Sequence, residues 1–309
     1  MSGEIVQRPQ ASQRMSVILQ GQPDAVMEER RRRSLKQRVI ASPRLTLRSL
    51  SEEVGLIWQY RDLLYTLTLH RIRVRYKQSV LGIAWAVIQP LALMMIYTVI
   101  FSIFTKVKTD GTPYPLLALS GLLPWTYLSA AVTNAALALV NHTELITKVY
   151  FPREILPLTY VIAALVDFVI AAFILGCMMA YYHVAPTPLI LWTIPIILLA
   201  TMFATALAFL LSAIQVHFRD VGLAMPLVLQ IWMFASPVVY PLSAVPMRFR
   251  SWYLLNPMAG VVESFRRAVL GQSGPEWSLL APALIVSVLL LPLTYLIFKY
   301  VEATMADII

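Results

Sequence analysis

Residues that could do chemistry are few in this sequence, but their positions are informative. Four cations alternate along one short stretch just before a long apolar run: Arg71, Arg73, Arg75 and Lys77. A single carboxylate, Asp167, lies deep within another apolar run. Basic clusters beside a hydrophobic segment bind acidic lipid headgroups, and an ionisable residue inside a membrane segment is a functional candidate. The sequence offers Asp167 no evident cationic partner, so a structural hydrogen bond and a role in transport are both open.

The other polar residues do not form the clusters that catalysis requires. The four histidines, at positions 70, 142, 183 and 217, are scattered without metal-ligand spacing. The single cysteine, Cys177, excludes an intrachain disulfide and a cysteine-based metal site. No P-loop, GxGxxG or GxSxG motif is present. We therefore expect a chain that binds no cofactor itself and uses energy supplied by another protein.

Composition indicates a membrane protein that crosses the bilayer several times. Of 309 residues, 59% are hydrophobic and 13% are charged, whereas soluble domains carry about a quarter charged residues. The net charge is +9, and residues 1–78 hold fifteen Lys/Arg against seven Asp/Glu. A cytoplasmic segment facing anionic lipid explains this bias better than nucleic-acid binding, because no aromatic-interleaved platform follows the RRRR run.

The apolar segments predict an all-α membrane protein with six spans. Their lengths approach or reach the ~20 residues needed to cross the bilayer, and they lie at about 81–104, 116–140, 156–182, 188–214, 222–240 and 278–298. Residues 1–50 are predicted to be a flexible basic cytoplasmic tail, and residues 51–309 a membrane domain. The Lys/Arg bias places the segment before the first span in the cytoplasm, and six spans then place both termini there.

An amphipathic helix is predicted at 56–78, immediately before the first span. An apolar stripe at helical spacing runs along it, formed by Leu56, Tyr60, Leu63, Leu64, Leu67 and Val74. Such a helix could lie flat at the membrane surface, with Trp58 and Tyr65 at the interface. The alternative is a helix that packs on a soluble partner.

Two connections between spans are predicted to contain helices of their own. In residues 141–157, Asn141 and Glu144 resemble a capping box before a short apolar face that could dock on a partner. In residues 241–277, Asn256-Pro257 predicts a helix start and Gly271 its end. This second connection carries four arginines on the side predicted to be outside, against the Lys/Arg bias. We interpret it as re-entrant helices with arginines at headgroup level; a surface cap helix is the alternative.

Several motifs in a fixed order resemble a known family. They are RVRYKQSVLGIAWAVIQPL, YTVIFSIF, LITKVYFPREILP, VHFRDV, SPVVYP and LLNPMAG. Together they are similar to the transmembrane subunit of ABC-2 type exporters, and most of all to the Wzm-like permeases that export O-antigen or teichoic acid. The resemblance covers about residues 50–300, and the long basic tail before Ser51 departs from it.

The resemblance implies a six-span half-transporter that is not itself an enzyme. It would pair with a second copy of itself and with two cytoplasmic ATP-binding subunits, which bind ATP and Mg. It would lie in the inner membrane and carry a lipid-linked glycan. The resemblance implies an ATPase-coupling segment at Glu144, Leu145, Ile146, Lys148, Val149, Tyr150 and Phe151. It also implies a substrate entrance at Arg71, Arg73, Arg75 and Lys77, although membrane anchoring explains the same four residues.

A sugar polymer would slide along aromatic rings, because stacking on them is weakly directional. The expected channel-lining residues are Trp85, Tyr97, Trp232 and Phe234. The family resemblance implies a periplasmic gate, which we expect to contain Tyr240, Asn256, Pro257 and Phe265. Trp125 and Tyr127 are further candidates that could instead belong to an interfacial aromatic belt. Alternative functions are an ABC-2 exporter of a lipid or drug, a membrane-embedded glycosyl- or acyltransferase, and a passive channel or scaffold.

Overall fold

The computed structural model of the protein describes residues 55–77, 82–104, 111–253 and 255–308. Within these ranges the regular structure is helical, without strands, which confirms the predicted all-α membrane fold. The predicted tail at 1–50 lies outside the described residues. The α-helices are α1 (Arg61–Lys77), α2 (Trp85–Thr98), α3 (Tyr114–Ala136), α4 (Thr143–Lys148), α5 (Ile155–Tyr181), α6 (Thr193–His217), α7 (Asp220–Phe234), α8 (Met247–Tyr253), α9 (Pro257–Val269) and α10 (Trp277–Ile308).

Among the described residues, five helical segments are long and apolar enough to cross a membrane: Trp85–Ser102, Tyr114–Ala136, Ile155–Tyr181, Pro188–His217 and Trp277–Glu302. The fifth of the six predicted spans, 222–240, is only partly helical, so the count of six is not confirmed. Its helix α7 has 15 residues, or about 22 Å, against the ~30 Å of hydrocarbon. After α7 the chain turns, and Ser236 and Val238 are fully buried there. Hydropathy cannot distinguish such a buried turn from the end of a spanning helix.

Helix α3 forms the centre of the molecule. Seventeen of its 23 residues are buried, and α2, α5, α6 and α9 all pack against it. Small residues permit this close approach. A side chain at Gly121 would collide with the carbonyl oxygen of Val238, in the turn that follows α7. The core of the protein therefore surrounds α3 and includes the turn after α7.

Helix α9 begins and ends where the sequence predicts. The Asn256 side chain accepts a hydrogen bond from the Met258 backbone N–H at 3.1 Å, Pro257 is the first helical residue, and Gly271 follows the helix with a φ of 65°. Twelve of its 13 residues are buried. Helix α9 packs on α10, α3 and α6. It is therefore an internal helix, and the alternative of a surface cap helix is wrong.

Candidate functional site

The segment 144–151, predicted to couple to an ATPase, lies between α3 and α5 and contains α4. The predicted capping box is wrong, because His142 occupies the N-cap position and its side chain makes no capping hydrogen bond. Glu144 instead pairs with Lys148, one turn later, at 3.0 Å. A short 3-10 turn, Val140–His142, leads directly into α4 and takes the place of the predicted cap.

The apolar face of the 144–151 segment is divided between the protein's own core and its surface. Ile146 and Phe151 are buried, at 9% and 5% exposure, in a cluster that includes residues of α5, α6 and α10. Leu145 packs on the same cluster. The expectation that Ile146 is exposed for docking is therefore wrong, because a two-turn helix needs this contact to stay attached to the bundle. The exposed members are Glu144, Lys148, Val149 and Tyr150.

A buried group of charges attaches the end of this segment to α10. The Lys299 ammonium contacts the Glu154 carboxylate and lies 3.0 Å from that of Glu302. Arg153 donates a hydrogen bond to the Glu302 backbone carbonyl at 2.8 Å. Glu154 and Glu302 are 0% and 6% exposed, and buried carboxylates require such partners. Sequence reasoning missed this group because its members are 145 residues apart, from 154 to 299.

The four cations of the predicted entrance divide into two pairs on α1. Arg71 and Arg75, one helical turn apart, face α5, whereas Arg73 and Lys77 are exposed. The Arg71 Nε–H donates to Thr159 Oγ1 at 2.7 Å, and its guanidinium lies 3.5 Å from the centre of the Tyr160 ring.

Arg75 forms an ion pair with Asp167. This supplies the cationic partner for Asp167 that the sequence did not reveal. Asp167 lies twelve residues into α5, or about 18 Å along that helix. Helix α1 therefore packs alongside α5 and does not lie only across its end. Its stripe residues Leu63, Leu64 and Leu67 pack on the bundle, while Val74 is 52% exposed.

A cavity of about 290 Å³ lies between α1, α5 and the residues before α4; we call it the cationic cavity. Its polar lining residues are His70, Arg71, Arg75, Asn134, His142 and Asp167. His142 Nδ1 lies 3.0 Å from the Ala138 carbonyl oxygen, and its Nε2 lies 3.4 Å from an Arg71 guanidinium nitrogen. Both contacts are satisfied when Nδ1 carries the proton. Burial and the nearby Arg71 lower the pKa of His142, which favours this neutral form.

A larger cavity, of about 760 Å³, lies between the end of α7 and α8. We call it the aromatic cavity because six rings line it: Phe101, Trp232, Tyr240, Phe249, Trp252 and Tyr253. Its polar groups are already paired. The Trp232 indole N–H donates to Asn256 Oδ1 at 3.0 Å, and the hydroxyls of Tyr240 and Tyr253 lie 2.8 Å apart.

The predicted channel and gate residues are only partly brought together. Trp232, Tyr240, Asn256 and Pro257 all line the aromatic cavity. Trp85, Tyr97, Phe234 and Phe265 do not: Tyr97 and Phe265 are buried, and Trp85 and Phe234 are exposed elsewhere. Sequence reasoning missed Phe101, Phe249, Trp252 and Tyr253. The MRFRSWY stretch before Asn256 could have indicated three of these, since aromatic residues recur in it.

Trp125 and Tyr127 lie inside the protein, at 4% and 2% exposure. The Trp125 ring packs edge-to-face on Trp232 with 5.8 Å between centres, and the Tyr127 hydroxyl donates to Thr201 Oγ1 at 2.9 Å. The alternative of an interfacial belt is therefore wrong for both. Trp125 instead supports the ring of Trp232 from behind.

The arginines of α9 are paired with carboxylates of the protein. Arg266 is 2% exposed and pairs with Glu263 at 2.9 Å. It also donates to the backbone carbonyls of Pro237 and Val238, at 2.8 and 2.7 Å. Arg267 pairs with Glu263 at 3.1 Å and with Glu276 at 2.5 Å. These charges are neutralised within the protein, which removes their conflict with the Lys/Arg bias.

Comparisons with known proteins agree with the resemblance seen in the sequence. The chain is 32% identical over 165 residues to the O-antigen export system permease protein RfbA of Myxococcus xanthus, covering 53% of this chain and 63% of that protein. Two proteins of the same name from Klebsiella pneumoniae are 31% and 30% identical over 161 residues, covering 52% of this chain and 61% of each. The chain thus spans slightly less than two thirds of these relatives. The sequence pattern of the ABC-2 type transporter family matches residues 62–270. Because this match includes more than half of the chain, the protein belongs to the ABC-2 type transporter family.

Proposed function

We propose that this chain is the permease subunit of an ATP-driven exporter that moves a lipid-linked polysaccharide across the cytoplasmic membrane. The cargo would be an O-antigen-like or related surface glycan. The observation that carries the proposal is the similarity to three permeases named for O-antigen export. In this proposal the chain hydrolyses no ATP, and both of its termini lie in the cytoplasm.

The complex would contain two copies of this chain and two ATP-binding subunits, which hold ATP and Mg. The exposed side chains of the 144–151 segment are the contacts available to such a subunit. Val149 and Tyr150 are 51% and 48% exposed, and Glu144 and Lys148 flank them with opposite charges. Ile146 and Phe151 would transmit force, since they attach the segment to the bundle.

The aromatic cavity supports a sugar polymer as the cargo. Sugar rings present apolar CH faces to aromatic side chains and hydroxyls to polar groups. Phe249 and Trp252 offer exposed rings on α8. The paired Tyr240 and Tyr253 hydroxyl oxygens keep lone pairs that can accept hydrogen bonds from sugar hydroxyls. Burial raises the pKa of the Tyr240 hydroxyl, which therefore stays protonated and donates to the Phe234 backbone carbonyl at 2.7 Å.

Movement at the ATPase would reach this cavity through packed helices. Closure of the ATP-binding subunits would push the 144–151 segment, and the Glu154–Lys299 ion pair attaches its end to α10. Helix α10 packs closely on α9, where a side chain at Gly260 would collide with the Leu279 carbonyl oxygen. The first residues of α9, Asn256 at its N-cap and Pro257, line the aromatic cavity. The path from ATP hydrolysis to the cavity thus uses direct contacts at each step.

Deletion of the gene tests the proposal. We expect a lipid-linked glycan to accumulate inside the cell while the surface glycan disappears, and a plasmid carrying the wild-type gene should restore export. A Val149→Asp/Tyr150→Asp double variant should insert normally but fail to restore export. Its two carboxylates would replace apolar side chains in the contact with the ATP-binding subunit. Thr66→Asp, at an exposed position of α1 outside the 144–151 segment, is the control. Unchanged surface glycan after deletion would contradict the proposal.

A further inference from the structure

The cationic cavity has the size of a headgroup site. Its volume is about 290 Å³, at the lower end of the ~300–1,000 Å³ typical of ligand pockets. It could accept a small anionic group but not a length of glycan. Its wall presents the guanidinium groups of Arg71 and Arg75. These are the donor types that bind phosphate oxygens in proteins.

The charges of this wall favour an anion. Arg71 and Arg75 contribute two positive charges, and Asp167 contributes one negative charge. Burial and the nearby Arg71 lower the pKa of His142, which disfavours a third positive charge on this wall. The lining therefore keeps a net positive charge, which a phosphate group would neutralise.

In the Arg75–Asp167 ion pair, the Asp167 carboxylate occupies the place beside Arg75 that a phosphate group would take. A carboxylate and a phosphate present similar oxygen pairs to a guanidinium group. Arg75 is 41% exposed and Asp167 21% exposed, so the pair lies at the opening of the cavity and not in the core. An incoming phosphate can therefore reach Arg75 without unpacking α1 from α5.

We propose that the cationic cavity binds the phosphate or pyrophosphate group of a lipid, and that Asp167 is the internal acceptor which this group displaces from Arg75. The inference rests on the proposed function for its main source, the pyrophosphate of a lipid-linked glycan; a bilayer phospholipid is the other source of the same chemistry. Arg71 contacts His142 at the N-cap of α4. The bound headgroup would thus lie one contact away from the 144–151 segment.

Binding to the full-length chain in phosphatidylcholine nanodiscs tests this assignment. The probes are undecaprenyl pyrophosphate, phosphatidylglycerol and inorganic pyrophosphate, with lipid occupancy measured by native mass spectrometry. Arg75→Gln should weaken binding of undecaprenyl pyrophosphate at least about tenfold, because a charge-assisted hydrogen bond is lost. Arg73→Gln, which removes the same charge from the exposed face of α1, is the matched control and should leave binding unchanged.

The Asp167→Asn variant separates displacement from misfolding. It removes the competing charge but keeps the shape of the side chain, so binding should become about threefold or more tighter. A damaged protein would not bind more tightly. Weaker binding by this variant, or equal losses for Arg73→Gln and Arg75→Gln, would overturn the proposal.

The three probes identify the source of the phosphate. We expect undecaprenyl pyrophosphate to bind more tightly than phosphatidylglycerol, which would support a glycan carrier as the source. Equal binding of the two, weakened by Arg75→Gln, would support a phosphate site in this cavity that is filled by a bilayer phospholipid. Binding of inorganic pyrophosphate alone would overturn a lipid site. Failure of all binding with normal glycan export would reject this inference only. Normal surface glycan after gene deletion would reject the proposed function without altering the binding data.

Discussion

The cationic cavity and the aromatic cavity are lined by different kinds of side chain. The first presents Arg71, Arg75 and Asp167, with an ion pair at its opening. The second presents six rings, and its hydroxyl and amide groups are already paired with one another. Charge-assisted contacts hold one group in a fixed geometry, whereas ring faces tolerate many positions of a sugar. Under the two proposals above, headgroup recognition and polymer passage are assigned to separate cavities of one chain.

The largest effect is expected at Arg266, a buried charged residue beside the aromatic cavity. We assign it no part in binding, so its loss should change stability. Arg266→Met should destabilise the folded protein by about 3–5 kcal/mol, because Glu263 would stay buried with less compensation. A marked fall in the thermal unfolding temperature in detergent would show it. Arg267→Met removes a partly exposed arginine from the same carboxylate and should cost clearly less. Equal losses would mean that burial does not set the cost.

The next effect tests the cationic cavity in cells. Arg75→Gln should reduce the surface glycan about tenfold, since headgroup binding is weakened by that factor. Arg73→Gln should leave it near the wild-type level. The glycan is measured on gels of whole-cell extracts, with the amount of inserted permease checked in the same membranes. If the two variants behave alike, the cations only anchor α1.

A moderate effect is expected in the aromatic cavity. Trp252→Ala should lower export several-fold by removing a ring from the wall, but with little loss of stability, because this side chain is 70% exposed. Met247→Ala, on the same helix and 76% exposed, is the control. Undecaprenyl pyrophosphate binding should be unchanged in both. Weaker headgroup binding by Trp252→Ala would contradict the assignment of headgroup binding to the cationic cavity alone.

The smallest effect concerns pH at the cationic cavity. Burial, Arg71 and His70 lower the pKa of His142 below its ordinary value of 6.5. The unfolded chain therefore binds more protons at this residue, and the stability that the neutral ring contributes is lost as the pH falls below about 6.5. Thermal unfolding between pH 7.5 and 5.5 should decline less in His142→Gln than in the wild type. Parallel curves would contradict this contribution.

Patterns that depend on neighbouring residues could be predicted from the sequence. The hydrophobic runs predicted the helices, Asn256-Pro257 predicted the start of α9, and the Leu63–Leu67 stripe predicted the packed face of α1. Each of these signals is contained within a few turns of one helix. For this reason they do not depend on how distant segments come together.

Contacts between distant residues could not be predicted in this way. The partner of Asp167 is 92 residues away, and Arg266 bonds carbonyl groups 28 and 29 residues earlier in the chain. The sequence shows these charges but not what neutralises them. The same limit explains the error at Ile146, whose apolar side chain fits a partner surface and the protein's own core equally well.

The hydrogen bonds of Arg266 have a consequence for how the aromatic cavity can widen. One guanidinium group joins the backbone at Pro237 and Val238 to helix α9, and Gly121 leaves no spare room behind this junction. The turn and α9 must then shift as a single rigid body. The intervening stretch, where Pro241 and Pro246 flank a short 3-10 turn, packs Leu242 and Val245 against Leu279 of α10. We therefore expect the cavity to widen at α8, whose Phe249 and Trp252 rings are 46% and 70% exposed.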